Sequence, residues 1–352
     1  MMQSAFTSLL SSSNWFCQLL AQATISDLLD LKTIILLIVV LGFLAGAYIT
    51  GHVLRRQPNT SVHPALIRTF NARIQAWGLM CLIVALAFLF GRMATIVLFG
   101  LISFWALREF ITLTPTRLGD HRALFWVFFV FTPLQYVLIG MGPEHYSFYI
   151  IVIPVFGFLF IPARIALSGD YKRFLERAAK IQSGLLVCVY TLSFAPALLD
   201  LQLETPTSNG PPKPWEGSNA GLLFYFILLA QLNDVLQYVW GLWLGRRVIA
   251  PEINASRTWE GFFGGIASTT LIGTLLWWVT PFSVPLSACM AAVIAIMGFA
   301  GSMTMSAIKR DRGVKDYGTL VEGHVGILDR IDSICFAAPV FFHLVRFFYL
   351  AE

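Results

Sequence analysis

Residues 219–247 read NAGLLFYFILLAQLNDVLQYVWGLWLGRR, and between 219 and 244 the only ionisable carboxylate is Asp234, with no Lys or Arg before Arg246. A helix needs about 20 mostly apolar residues to cross a bilayer, and this run satisfies that length. A carboxylate at membrane depth is costly, so it marks either a functional group or a hydrogen-bond network between helices. Gln237, Tyr238 and Gly241 follow Asp234 at offsets of three, four and seven, which places all four on one helix face. That polar face must turn toward other helices rather than lipid, so the segment belongs to a bundle.

The rest of the chain agrees. Of its 352 residues 57% are hydrophobic and 12% are charged, with a mean hydropathy of +0.73, whereas a soluble domain carries about 25% charged residues. The expected fold is all-α, a polytopic integral membrane bundle of about ten transmembrane helices. They are placed near 31–53, 75–91, 93–111, 123–141, 147–167, 181–199, 219–244, 262–281, 284–306 and 331–350. Of the 24 Lys and Arg, 20 fall in the loops after odd-numbered spans; only Lys32, Arg92, Lys213 and Arg346 fall on the other side. Basic residues accumulate in cytoplasmic loops, so both termini are expected to face away from the cytoplasm. The net charge of +5 has the same origin, and no nucleic-acid partner is called for.

Residues 1–30 lack the basic start of a secretory signal and read as an N-terminal interfacial segment. Residues 31–352 read as a single integral membrane domain, because no Pro/Gly-rich linker separates two halves. The loop LQLETPTSNGPPKPWEGSN is expected to be irregular. The five cysteines have no CxxC or Cys/His spacing and read as small buried hydrophobes.

Charge gathers in one other place. Ser302 to Ser333, SMTMSAIKRDRGVKDYGTLVEGHVGILDRIDS, holds five Lys/Arg and five Asp/Glu. Lys309, Arg310, Arg312 and Lys315 suit a polyphosphate, since Lys is a compact charge and Arg a planar fork. Asp316, Asp329 and Asp332 offer the oxygen donors that Mg²⁺ takes together with substrate phosphates. Topology and helix capping explain each of these residues singly but leave their density unexplained. Upstream, PEINASRTWEGFFGG (Pro251–Gly265) places Arg257, Thr258 and Glu260 ahead of a glycine-rich helix start, where a backbone is expected to approach phosphate closely.

The order of these residues is similar to the C-terminal motif of the phosphatidate cytidylyltransferases, the CDP-diacylglycerol synthases. The resemblance rests on Ser306, Lys309, Arg310, Lys315, Asp316, Gly318, His324, Gly326, Asp329, Arg330 and Asp332 at matching spacing. NDVLQYVWGLWLGRR and NASRTWEGFFGG resemble two further segments of that family, and FWALREF is a fainter echo near the N-terminal half. The specific match covers Gln231 to about Leu350, so the catalytic half is expected at about 219–350.

The resemblance implies a membrane nucleotidyltransferase that joins CTP and phosphatidic acid into CDP-diacylglycerol and pyrophosphate, among membrane lipid. It implies Mg²⁺, with a second cation left open, and Asp329 and Asp332 as metal ligands. Lys309, Arg310, Lys315, Asp316, His324 and Arg330 take the catalytic positions. Ser306, Asp234, Tyr238, Arg257, Thr258 and Glu260 take the substrate-binding ones. The expected location is a bacterial inner membrane with the site facing the cytoplasm; a homodimer is left open. This chain departs from the family at Ser302, where the family has Asp, at Met305 for Glu, at Glu322 for Pro and at Val325. Upstream, Asn254 and Ala255 replace Ser-Pro, and Arg257 replaces Lys. A lipid- or nucleotide-binding relative without turnover is therefore the second reading. A transporter is the third, although its polar residues would be spread along a pathway rather than gathered at one face.

Overall fold

The computed structural model describes residues 30–56, 64–114, 116–205, 211–314 and 326–350. The expected interfacial segment and Cys17 lie outside these, apart from Asp30. Among the described residues the chain forms helices at each of the ten expected places, with almost no strand. They are α1 (Leu31–Arg56), α2 (Pro64–Leu89), α3 (Arg92–Thr112), α4 (Leu118–Gly140), α5 (Pro143–Ala166), α6 (Phe174–Asp200), α7 (Asn219–Leu244), α8 (Trp259–Leu275), α9 (Val284–Asp311) and α10 (Leu328–Tyr349). Eight of them are long and apolar enough to span a membrane. The exceptions are α2, whose apolar part is Trp77–Leu89, and α8, which stops at Leu275 after 17 residues instead of reaching 281. Beyond α8 the chain makes a short 3₁₀ turn at Trp277–Val279 ahead of Pro281, whose fixed φ and missing N–H oppose continuing the helix.

The chain divides into two compact units, Met1–Thr95 and Ile96–Glu352. Within the first, α1 and α2 pack on each other, and Gln75 on α2 donates to the Tyr48 hydroxyl on α1 at 3.2 Å. Within the second, α7, α8, α9 and α10 form the most tightly associated group. Phe226 of α7 stacks on Phe341 of α10 with ring centroids 5.1 Å apart, and Tyr225, Phe224 and Phe342 are fully enclosed around them. Lipid is as apolar as these side chains, so close packing rather than water exclusion must hold the helices together. Small residues make that packing close: a Cβ at Gly273 of α8 would lie 2.4 Å from the Ala291 Cβ of α9, and one at Gly301 of α9 would lie 2.4 Å from the Asp332 carbonyl of α10.

Helices α4, α5 and α6 each contain a widened, π-helical turn, at Val127–Phe131, Val152–Gly157 and Leu186–Thr191. In α5 the turn holds Pro154, which has no N–H to donate. In α4 and α6 hydroxyls take ladder carbonyls, Thr132 that of Val127 and Thr191 that of Val187. The loop between α6 and α7 is not wholly irregular, since β1 (Glu204–Thr205) pairs antiparallel with β2 (Lys213–Pro214). Cys188 and Cys335 are buried as expected, Cys81 is half-buried and Cys289 faces outward. Many large apolar side chains also face outward, Trp243 at 76% exposure and Phe347 at 81% among them, as an integral membrane protein requires.

Candidate active site

The site is assembled where the C-terminal ends of α7 and α9 meet the N-terminal ends of α8 and α10. Between α7 and α8 the chain folds into a short hairpin: Val248 bridges Thr258, the Ile249 N–H donates to the Arg257 carbonyl at 3.0 Å, and the Trp259 N–H to the Arg247 carbonyl at 2.9 Å. Glu260 closes it by accepting the backbone N–H groups of Arg246 and Arg247 at 3.0 and 3.2 Å. Those hydrogen bonds, with the Arg247 charge beside them, hold the Glu260 carboxyl below its ordinary range. Thr258 ends the hairpin as the N-cap of α8, its hydroxyl accepting from the Gly261 N–H at 3.1 Å.

The hairpin delivers Arg257 to the polar face of α7. Its Nη2 donates to Asp234 Oδ1 at 2.7 Å and to Ser302 Oγ of α9 at 2.8 Å, and its Nη1 donates to Gln237 Oε1 at 2.8 Å. Gln237 in turn donates to Asn233 Oδ1 at 3.1 Å, and Asn233 donates to the Ala295 carbonyl at 3.0 Å. The network reading of the α7 stripe thus applies at Asn233 and Gln237. Asn233 and Gln237, both buried, tie helices together, while Asp234 opens toward the hairpin. Asn254 donates to Ser306 Oγ at 3.3 Å and Arg310 Nε donates to the Ile253 carbonyl at 3.1 Å, which lays the hairpin over the last turns of α9.

On the other side of α9, Lys309 Nζ meets Asp329 Oδ1 of α10 at 2.7 Å, with side-chain exposures of 13% and 7%. One turn further along α10, Asp332 is buried and makes no ion pair among the described residues; its Oδ1 accepts the Ser333 N–H at 2.7 Å. The charges of Asp234, Arg257 and Lys309 all reach it. The structure therefore brings together Asp234, Arg257, Lys309, Asp329 and Asp332, with Ser302 and Ser306 beside them. Gln231 on α7 holds Arg330 by its carbonyl, at 2.7 Å. Tyr238 lies half-buried on the same helix as Asp234. Lys315, Asp316 and His324 lie outside the described residues, as do Glu322 and Val325.

The glycines after Glu260 are packed closely against α7. A Cβ at Gly261 would come within 2.6 Å of the Gln237 carbonyl, one at Gly264 within 2.5 Å of the Trp240 ring, and one at Gly265 within 2.3 Å of the Gln237 side chain. They bring α8 against α7. One residue of the site carried no decisive signal in the sequence. Glu109, buried on α3, accepts the Ile327 and Leu328 N–H groups at 3.0 and 2.9 Å.

Among the described residues no three His, Cys, Asp or Glu side chains converge as a ready-made metal cage. The donor set nevertheless fits Mg²⁺, which takes one or two carboxylates and leaves the remaining positions to water and substrate phosphate. Asp332, buried without an ion pair among the described residues, and Asp329 beside it are the carboxylates that would hold it.

Cations and carboxylates are thus gathered at helix ends inside an apolar helical bundle. The chain belongs to the cytidylyltransferase family, whose profile matches residues 71–348. It is 38% identical over 279 residues to the uncharacterized protein YnbB of Escherichia coli (strain K12), covering 78% of this chain and 87% of that one. It is 35% identical over 156 residues to a phosphatidate cytidylyltransferase of Synechocystis sp., covering 42% of this chain and 53% of that one. A phosphatidate cytidylyltransferase of Bacillus subtilis is 34% identical over 128 residues, with 36% and 48% covered. The match thus spans about half the length of these two phosphatidate cytidylyltransferases.

Proposed function

We propose that this protein is a phosphatidate cytidylyltransferase, converting CTP and phosphatidic acid into CDP-diacylglycerol and pyrophosphate. The observation that carries the reading is the meeting of Lys309 and Asp329, at 2.7 Å, next to the buried Asp332, at a place three helices share with Arg257. In the reaction a phosphate oxygen of phosphatidic acid attacks the α-phosphorus of CTP. The new P–O bond forms as the bond to the bridging oxygen of the β-phosphate breaks, and that oxygen keeps the electron pair as pyrophosphate leaves. Both reactants are polyanions, so catalysis consists chiefly of alignment and charge neutralisation.

Lys309 and Arg310, at the end of α9, and Arg330, in the first turn of α10, are the cations we assign to the phosphates. Arg257 is the fork that a further phosphate oxygen would share with Asp234 and Ser302. Mg²⁺ held by Asp329 and Asp332 would neutralise charge on the phosphate oxygens. Lys315, Asp316 and His324 are assigned by their motif positions. The asymmetry of Lys and Arg across the spans supports a site facing the cytoplasm, where CTP is available, and a bacterial inner membrane as the location. Exposed apolar faces around the bundle leave the acyl chains in lipid while the headgroup enters the charged region.

The test is CDP-diacylglycerol formation by purified protein in phosphatidic acid micelles, with labelled CTP and a panel of other nucleoside triphosphates. Product with CTP, dependent on both substrates, is expected; no product from any pairing would overturn the reading. The hydrogen bond from Arg257 to Ser302 favours one alternative, binding without turnover, because a guanidinium there meets a neutral hydroxyl in place of a carboxylate. Ser302→Asp separates the two. On the proposed reading the wild type already turns over, and the added carboxylate lowers the Mg²⁺ concentration needed for half-activation. Product from the variant alone would favour the alternative.

A further inference from the structure

Helix α10 carries Asp329 and Asp332, yet among the described residues its own segment supplies no side-chain cap at its start. Ile327 occupies the N-cap position and offers no side-chain acceptor, and among the described residues no neighbouring side chain accepts from the first turn. Leu328 is fully enclosed, so water cannot serve its N–H group. An unsatisfied buried donor there would be destabilising. The acceptor comes instead from α3, more than two hundred residues away in sequence. One oxygen of Glu109 takes the Ile327 N–H at 3.0 Å and the other takes the Leu328 N–H at 2.9 Å. The carboxylate also brings negative charge to the positive end of the helix dipole.

We propose that Glu109 is a positioning residue: a carboxylate on α3 that grips the start of α10 at two points and so aims Asp329 and Asp332. Two oxygens on two successive amides fix both the height and the rotation of the first turn, which a single hydrogen bond would not. Gln231 of α7 adds a third point, donating to the Arg330 carbonyl at 2.7 Å. Asp329 is the residue after Leu328, so an error at the grip is transmitted directly to its carboxylate. A helix N-terminus is otherwise a ready site for an anion. Here Glu109 occupies it, which leaves substrate phosphate to the side-chain cations and keeps it from binding out of register at the end of α10.

The inference rests on the reaction proposed above, and its test separates the two. Glu109→Gln keeps the shape but exchanges one acceptor oxygen for a donor amide, and Glu109→Ala removes both acceptors. In purified full-length protein, kcat for CDP-diacylglycerol formation should fall about tenfold to a hundredfold in the Gln variant, the penalty of a small misplacement. KM for CTP and for phosphatidic acid should stay within about threefold. Amide hydrogen exchange should quicken in the peptide covering 326–332 and remain unchanged in peptides from α7. Wild-type kcat in both variants would overturn the proposal, and so would a fall in kcat accompanied by faster exchange throughout α7 to α10. If the wild type forms no CDP-diacylglycerol, the substrate reading fails alone. The exchange arm then decides, and unchanged exchange at 326–332 in the Gln variant would overturn the grip.

Discussion

Two charged clusters lie in the larger unit, and they are built on opposite plans. In the first, Arg177 of α6 is 4% exposed and Asp120 of α4 is 1% exposed. Arg177 places Nε and Nη2 on Asp120, the latter at 2.7 Å, and Nη1 on the carbonyls of Asp170 and Lys172 at 3.0 and 2.8 Å. Asp120 accepts the Arg117 N–H as well, at 2.9 Å, and Arg117 grips Asp170 through both oxygens. The donors of Arg177 are directed at fixed partners within the fold. In the second cluster, Lys309 meets Asp329 at 2.7 Å, Arg257 meets Asp234 at 2.7 Å and also Ser302 and Gln237, and Asp332 is buried without an ion pair among the described residues. Fully answered charge holds a fold in one state, whereas a buried carboxylate such as Asp332, with no ion pair among the described residues, leaves capacity for a ligand cation. The difference distinguishes a clamp from a site more clearly than burial does, since both clusters are largely enclosed.

Removing one partner from each cluster should break this comparison in opposite ways. Arg177→Ala strands Asp120 with its charge buried, and breaking such a pair costs about 3–5 kcal/mol. The expected outcome is a large loss of folded protein, measured as a lowered thermal midpoint by fluorescence-detected size exclusion in detergent. The molecules that remain folded should keep their turnover. Asp329→Asn should do the reverse. It removes a charge that the site uses and should lower CDP-diacylglycerol formation about 10²–10³-fold, on the scale of other lost electrostatic contacts in active sites. The thermal midpoint should move by only a few degrees. A stable Arg177→Ala protein, or an Asp329→Asn protein that fails by unfolding, would invert the assignment of the two clusters.

How much of this was legible in the sequence follows from the range of each interaction. Helix positions depend on local apolar runs, and each of the ten has a helix, although α8 stops at Leu275 where proline chemistry intervenes. Asp234 was legible because a lone carboxylate in an apolar run is conspicuous. Its partner was not, because Arg257 arrives through a hairpin whose pairing of Val248 with Thr258 leaves no periodic trace. The glycines after Glu260 were legible as small residues, but their neighbours, Gln237 and Trp240, are fixed only by helix packing. Arg177 was hidden in the count of basic loop residues that topology explains. Glu109 was hardest to see: its partners are two backbone N–H groups on Ile327 and Leu328, and backbone groups have no residue identity to read.

The smallest predicted effect sharpens the comparison at the rim of the clamp. Asp170 is held to Arg117 through both oxygens, the nearer at 3.0 Å, and that hydrogen-bonded cation draws its carboxyl below the ordinary value of 3.8. A group whose folded-state value is depressed contributes stability that is fully present above its unfolded value and is lost as pH falls through the folded one. Asp170 should therefore add to stability at pH 5 and above, and the contribution should fade below about pH 4. Because Asp170 is partly exposed and its partner Arg117 more so, salt screens the pair and the contribution is slight. Asp170→Asn should lower the thermal midpoint a little at pH 7 in low salt, and less in high salt. Below about pH 4 the variant and wild type should converge, since the wild-type carboxyl is then losing its charge as well. An effect that is equal at pH 7 and pH 3 would mean that Asp170 acts through the fit of its side chain rather than through charge. In that case the rim of the clamp is held by shape, and only the buried Arg177–Asp120 pair belongs in the contrast with the site.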